Sequence, residues 1–249
     1  MVASVKAASY LHRRMPRVYI TFGGRYMPVI TSVEQAIEGI RDGSILMLGG
    51  FGAVGTPPTI IDALMDKGVR NLTIISNDTG FIDVGIGKLI CDHRVKKLFA
   101  SHVGTNPETG RQINAGTLEA NLMPQGTLVE RIRAGGAGLG GFLTQTGLGT
   151  IIAEGKQIIT INSINYLLEL PLRAEYALLH AQLADKAGNL LYHGTMRNFN
   201  PIMALAADTV IAEVDEILED GYLNPDYVHT PGILLDFLVK GDAKWKRER

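Results

Sequence analysis

An α/β fold, a three-layer domain around a mostly parallel sheet with an irregular, β-rich second half, is what this sequence predicts. Three observations carry the prediction. Short apolar runs at Ile45–Leu48 and Leu72–Ser76 read as strands buried on both faces. Between them Ile60, Ile61, Leu64 and Met65 recur at helical spacing. Further apolar runs and helical stretches then alternate towards residue 136, as strand–helix–strand units do.

Each element has a local cause. Thr31-Ser32-Val33-Glu34 reads as a capping box with Thr31 at the N-cap, and Val33, Ala36, Ile37 and Ile40 supply an apolar helix face that Gly43 stops. After the strand Ile45–Leu48 comes a glycine-rich turn. Thr56 then reads as the cap of a helix with Pro57 and Pro58 in its first turn, ended by Gly68. Leu72–Ser76 is the next strand, Val84–Ile90 a glycine-broken helical stretch, and Lys97–Ser101 and Leu118–Met123 two further strands. Thr127-Leu128-Val129-Glu130 reads as a second capping box, opening a short helix that ends at Gly135-Gly136. Gln157–Ile161 and Tyr166–Leu170 suggest a hairpin around Asn162-Ser163. Tyr176–Ala181 and Leu190–His193 are joined through the turn signature Asp185-Lys186-Ala187-Gly188-Asn189. A helix at Pro201–Ala207 and a strand at Thr209–Val214 close the reading. No internal repeat at a fixed period is visible.

Composition narrows the function classes. With 249 residues and 46% hydrophobic content the chain can bury a full core. A formal net charge of −1 gives no argument for nucleic acid or a membrane surface. The balance is uneven, since residues 1–26 carry Lys6, Arg13, Arg14, Arg17 and Arg25 and no acid. That segment has the composition of a mitochondrial presequence but no clear amphipathic helix. It is read as a basic N-terminal extension, with the domain proper covering 27–249. Cys91 is the only cysteine, which suits a reducing cytoplasm, and no apolar run is long enough to span a bilayer.

The glycine turn carries the strongest chemical signal. Gly50, Gly52 and Gly55 satisfy G-x-G-x-x-G after a strand and before a helix, and Asp78 follows the second strand where a ribose-binding acid would sit. An NAD-dependent oxidoreductase is therefore one reading. Pro57 and Pro58 weigh against it by deleting two of the amide donors a pyrophosphate needs. A second glycine-rich run, Gly135-Gly136-Ala137-Gly138, follows Arg131 and Arg133, which could meet anionic groups or face solvent. His12, His93, His102, His180, His193 and His229 are scattered without metal-ligand spacing, and no G-x-S-x-G elbow or H-E-x-x-H helix occurs.

The stretch Asp42–Pro57 resembles the first signature of the family I coenzyme A transferases: an acidic or Asn residue, Gly, two variable residues, three apolar residues, Gly-Gly-Phe, and Gly-x-Pro three residues later. Pro124–Gly138 is similar to the family's second long block. Thr146–Thr150, Ala187-Gly188-Asn189 and Arg197-Asn198-Phe199-Asn200 fall in the family's order, so the resemblance spans about residues 27–240. Asn77-Asp78-Thr79 and Ser101–Gly110 look like the A (alpha) subunit of the enzymes acting on acetate, butyrate and acetoacetate. His193-Gly194-Thr195-Met196 departs from the Ser-Ala pair that relatives often carry before Arg197.

That resemblance implies ping-pong exchange through a glutamyl-CoA thioester, with coenzyme A or acyl-CoA as substrate and no resident cofactor or metal. It places the nucleophilic glutamate on a B (beta) subunit, in an A2B2 assembly, so this chain is expected to supply no catalytic residue. Glu108-Thr109-Gly110 and Glu219-Asp220-Gly221 match the loose Glu-x-Gly context, but both read as solvated acids in polar loops. By resemblance the CoA-facing segment is Gly49, Gly50, Phe51, Gly52, Ala53, Val54 and Gly55, with Gly135, Gly136, Ala137 and Gly138 as a second wall. A non-catalytic small-molecule sensor on a related domain is the third reading.

Overall fold

The computed structural model describes residues 20–22, 25–218 and 222–242. The expected domain boundary at residue 27 runs through an antiparallel pair, β1 (Ile20–Phe22) with β2 (Arg25–Met27); residues 1–19 of the basic segment lie outside the described residues. β3 (Val29–Ile30) and α1 (Val33–Ala36) follow. The cap of α1 is Ser32, whose hydroxyl accepts the Gln35 amide at 3.4 Å. Thr31 lies one residue outside and bonds the Gln35 side chain, so the capping box is shifted by one from the expected register.

The first half then runs through β4 (Ile45–Leu48), α2 (Pro58–Lys67), β5 (Leu72–Ser76), α3 (Ile86–Cys91), β6 (Val95–Ala100), α4 (Pro107–Asn114), β7 (Glu119–Leu122) and α5 (Gln125–Gly136), the alternation of strand and helix that was expected. α4 is absent from the sequence-based expectation because it lacks a sustained apolar stripe. Its start was nonetheless signalled: Asn106 caps it by accepting the Glu108 amide at 3.1 Å, and Pro107 occupies the first turn. Glu108 is thus a first-turn helix residue, bonded to Arg111 and Gln112, and not a loop acid. α5 begins two residues before the expected capping box, which places Thr127 inside the helix and buried. Gly135 and Gly136 form its last turn, not a loop.

Beyond α5, β8 (Phe142–Thr144), β9 (Ile158–Ile161) and β10 (Ile164–Glu169) make a small antiparallel sheet in the order β8-β10-β9. The expected hairpin is present: Asn162 and Ser163 sit at φ +50° and +62°, the two left-handed positions of a type I′ turn. The remaining strands are β11 (Ala174–Ala184), β12 (Leu190–Leu191), β13 (Ala207–Ile217) and β14 (Phe237–Lys240), with α6 (Asn200–Met203) before β13.

The main sheet has the order β3-β14-β13-β11-β4-β5-β6-β7, and every one of these neighbours pairs in parallel; β12 alone adds antiparallel, onto β11. The second half is therefore more than an irregular β-rich appendage. β11 and β13 are its long strands, and they extend the parallel sheet past β4. Alternation along each strand feeds two cores. Leu46 and Leu48 of β4 pack with Ile60, Ile61 and Leu64 of α2, whereas Met47 faces Leu128 and Ile132 of α5 and Met203 of α6. Helices on both faces make three layers.

Chain order reverses between β4 and β11. From β4 the chain steps to β5 on one side, and from β11 it steps to β13 on the other. Such a switch leaves a crevice at the carboxyl ends of the two strands, the usual ligand position in open parallel sheets. The glycine turn lies at that end of β4.

Candidate functional site

The turn is a small clip. Phe51 and Val54 exchange backbone bonds of 3.1 and 3.0 Å, with Gly52 and Ala53 at φ +55° and +68° between them. Two left-handed residues in sequence are what a two-residue turn of this type demands, and a glycine at the first position meets that demand without strain. Ala53 meets it at the cost of a crowded Cβ.

Two asparagines from the segment between β12 and β13 hold the clip in place. Asn198 accepts the Gly50 amide at 3.2 Å and donates to the Val54 carbonyl at 3.0 Å. Asn200, fully buried, donates to the Gly55 carbonyl at 2.9 Å and accepts the His180 amide at 3.2 Å. Gly49 must lack a side chain, because a Cβ there would lie 1.9 Å from Asn200 Oδ1. Thr56 does not cap α2 as expected; its hydroxyl turns back and donates to the Gly49 carbonyl at 3.0 Å.

The start of α2 is closed by a side chain from β13. Glu213 accepts the Thr59 amide at 3.2 Å and the Ile60 amide at 3.0 Å, and the Thr59 hydroxyl at 2.8 Å. Burial pushes the Glu213 carboxyl above its ordinary value, opposed by His180 and by the α2 donors. Asp78, the expected ribose acid, accepts the Gly52 amide at 2.9 Å and is itself buried. Both requirements of the dinucleotide reading are thus already spent: the helix N-terminus meets a carboxylate of its own chain, and the acid is bonded to the glycine turn. The G-x-G-x-x-G match is geometric coincidence within a longer signature.

Most of the turn's donors are also committed. Among the described residues, the amides of Gly49, Gly50, Phe51, Gly52, Val54 and Thr56 all have internal acceptors, which leaves Ala53 and Gly55. The turn accordingly presents a rigid backbone surface and an exposed Phe51 ring more than a cluster of free N–H groups.

The second glycine run is placed differently. A Cβ on Gly135 would lie 2.0 Å from the Leu172 carbonyl oxygen, and one on Gly136 would lie 2.6 Å from the Leu205 side chain. These two glycines let α5 pack closely, while Ala137 and Gly138 are more open to solvent. Arg131 points inward, donating to the Leu170 carbonyl at 2.7 Å near Glu169, and Arg133 pairs with Glu130. Among the described residues no group of three His, Cys, Asp or Glu side chains could hold a metal ion. Glu219 lies outside them.

Sequence reasoning missed the two clamping asparagines, Glu213 and a second clip. Gly80-Phe81-Ile82-Asp83-Val84-Gly85 repeats the Gly-Phe-x-x-Val-Gly pattern of Gly50–Gly55 thirty positions later, and Phe81 bridges Val84 as Phe51 bridges Val54. That single recurrence was the available signal.

A parallel three-layer sheet with a clamped glycine clip at its switch point defines a class of ligand-handling α/β domain. Comparison with known proteins identifies which one: the family model Coenzyme A transferase matches residues 30–241. The chain is 52% identical to the acetate CoA-transferase alpha chain of Escherichia coli strain K12, over 84% of this chain and 96% of that protein. It is 53% identical to the acetoacetyl-CoA:acetate/butyrate CoA transferase alpha subunit of Clostridium acetobutylicum, over 86% of this chain and 98% of that protein. Among solved structures, the acyl-CoA transferase YdiF apoenzyme from Escherichia coli O157:H7 matches with a TM-score of 0.80 and 25% identity, covering 91% of this chain. This chain spans 48% of the length of that one. A variant of the decarboxylase AibA/AibB matches with a TM-score of 0.74 and 25% identity, covering 87% of this chain and 84% of that one, so the fold also serves other chemistry. This chain belongs to the coenzyme A transferase family, and the oxidoreductase and sensor readings find no support.

Proposed function

We propose that the chain is the alpha component of a CoA-transferase that moves CoA between a short-chain acyl-CoA, such as acetyl-CoA or butyryl-CoA, and a carboxylate such as acetoacetate. Its B (beta) subunit supplies the nucleophile, in an A2B2 complex working in the cytoplasm. The glutamate carboxylate attacks the thioester carbonyl, forming a mixed anhydride and releasing CoA thiolate. The thiolate then attacks the glutamyl carbonyl and expels the acyl group as its carboxylate. The acceptor acid runs the same two steps in reverse and leaves as the new thioester, so no oxidant, reductant or water is consumed.

One observation carries this reading. The clip Gly49–Gly55 is held rigid at the topological switch point, yet the carboxylates that bond to it and to the helix after it, Asp78 and Glu213, are buried and occupied by backbone amides. A clip whose bonded carboxylates, among the described residues, are all taken up by backbone amides supports an active site shared with a second chain. The names of the relatives, alpha subunits acting on acetate, acetoacetate and butyrate, support the substrate class. Gly49 to Gly55 then faces the CoA, and the more open Ala137 and Gly138 are the part of the second run left to line it. The test is transfer from acetyl-CoA to acetoacetate by this chain mixed with its beta subunit. A correctly assembled complex that fails to transfer CoA to any of these acids would refute the proposal.

A further inference from the structure

The two Gly-Phe-x-x-Val-Gly clips stand side by side, at the carboxyl ends of β4 and β5, which are paired neighbours in the sheet. Their phenylalanines are equally exposed, Phe51 at 45% and Phe81 at 45%, and Ile82 and Val84 are open beside them. The second clip reaches the first: a Cβ on Gly52 would touch the Phe81 ring at 4.0 Å, and Phe51 lies 6.5 Å from the His102 ring. Phe51, Phe81, Ile82 and Val84 together make an exposed apolar patch on constrained backbone, the kind of surface a ligand or partner covers.

The clips are also locked to each other. Asp78, which is 1% exposed, accepts the Gly52 amide of the first clip at 2.9 Å, and the Gly80 amide of the second also faces its carboxylate. Thr105 donates to the Gly80 carbonyl at 2.8 Å, and Asn106 donates to the Thr79 carbonyl at 3.4 Å, which ties the second clip to the start of α4. One buried carboxylate thus ties the backbones of the two clips together.

We propose that the paired clips form one apolar platform for the acyl-pantetheine arm of the acyl-CoA, with Phe81 as a second binding residue beside Phe51 and Asp78 as the positioning residue that fixes both. The proposal rests on the CoA-facing reading of Gly49–Gly55 and extends it to a strand that reading does not include. The arm fits because its amides and methylenes match exposed rings, whereas the acidic Asp83 at the tip of the second clip disfavours the phosphates there.

The experiment uses the assembled complex. Phe81→Ala removes a ring that is 45% exposed; it should raise KM for acyl-CoA about tenfold with kcat changed less than about threefold, and Phe81→Leu should recover part of the loss. Asp78→Ala removes the shared acceptor; it should raise KM in the same direction and lower hydrogen-exchange protection at the Gly52 and Gly80 amides, a readout that a general loss of stability would not confine to those residues. An unchanged KM in Phe81→Ala overturns the platform. So does weaker association with the beta subunit at unchanged KM, which would make the second clip a contact between the two chains. Wild-type complex without transfer activity would instead sink the proposed function, and the platform with it.

Discussion

Glu213, in the middle of β13, accepts the amide of Ile60, in the first turn of α2, at 3.0 Å across 153 residues of sequence. It stands where a phosphate-binding fold keeps an open helix N-terminus, and it does the work Pro57 and Pro58 cannot share. Replacing it by Gln removes one of its two acceptor oxygens and sets an amide N–H against a backbone N–H. Glu213→Gln should destabilise the chain by about 1–3 kcal/mol in urea unfolding.

The pH dependence of that loss has a definite sign. Burial raises the folded pKa of Glu213 above its unfolded value. The stability it contributes is therefore complete below the unfolded value and is lost as pH rises through the folded one. Wild type should exceed Glu213→Gln by the widest margin near pH ~4, and the margin should narrow as pH rises. A margin that widens with pH would contradict the assigned shift.

Two small substitutions in the clip should move stability in opposite directions. Gly49→Ala forces a methyl group into Asn200 Oδ1 and should cost about 1–3 kcal/mol. Ala53→Gly relieves a left-handed residue, about 1–2 kcal/mol, against about 0.4–1 kcal/mol of added freedom in the unfolded chain. Relief exceeds the entropic loss, so Ala53→Gly should raise the melting temperature by a few degrees.

Asn198→Ala leaves the Gly50 amide and Val54 carbonyl without their side-chain partner. In the complex with the beta subunit it should lower kcat/KM by about tenfold to a hundredfold, the range expected when a binding segment shifts by about an ångström. Its own unfolding should move by no more than about 1–2 kcal/mol, because Asn198 is only half-buried. Kinetics that match wild type would show that the clip holds its shape without the clamp.

Much of this fold was legible because its causes are local. Ile45–Leu48, Leu72–Ser76 and the Asn162-Ser163 turn are fixed by neighbours in sequence, and each stands where the pattern put it. Helix starts were less legible. Ser32 and Thr31, or Pro124 and Thr127, offer rival caps a few residues apart, and tertiary packing chooses between them. The placement of β11 beside β4 and of β13 beside β11 was not legible at all, since parallel pairing between strands this distant in sequence leaves no local trace. The site divides the same way. The glycines and Phe51 announced themselves by pattern, whereas Asn198, Asn200 and Glu213 act only through long-range bonds to the turn and to the helix after it.

We propose that this chain forms half of an active site whose nucleophile lies on another subunit. Intact mass of both chains, after the purified complex is incubated with acetyl-CoA, tests it most directly. The expected result is a CoA adduct on the beta subunit alone, with CoA transfer retained in Glu108→Gln and Glu219→Gln variants of this chain. An adduct on this chain, or transfer by this chain without its partner, would contradict the account.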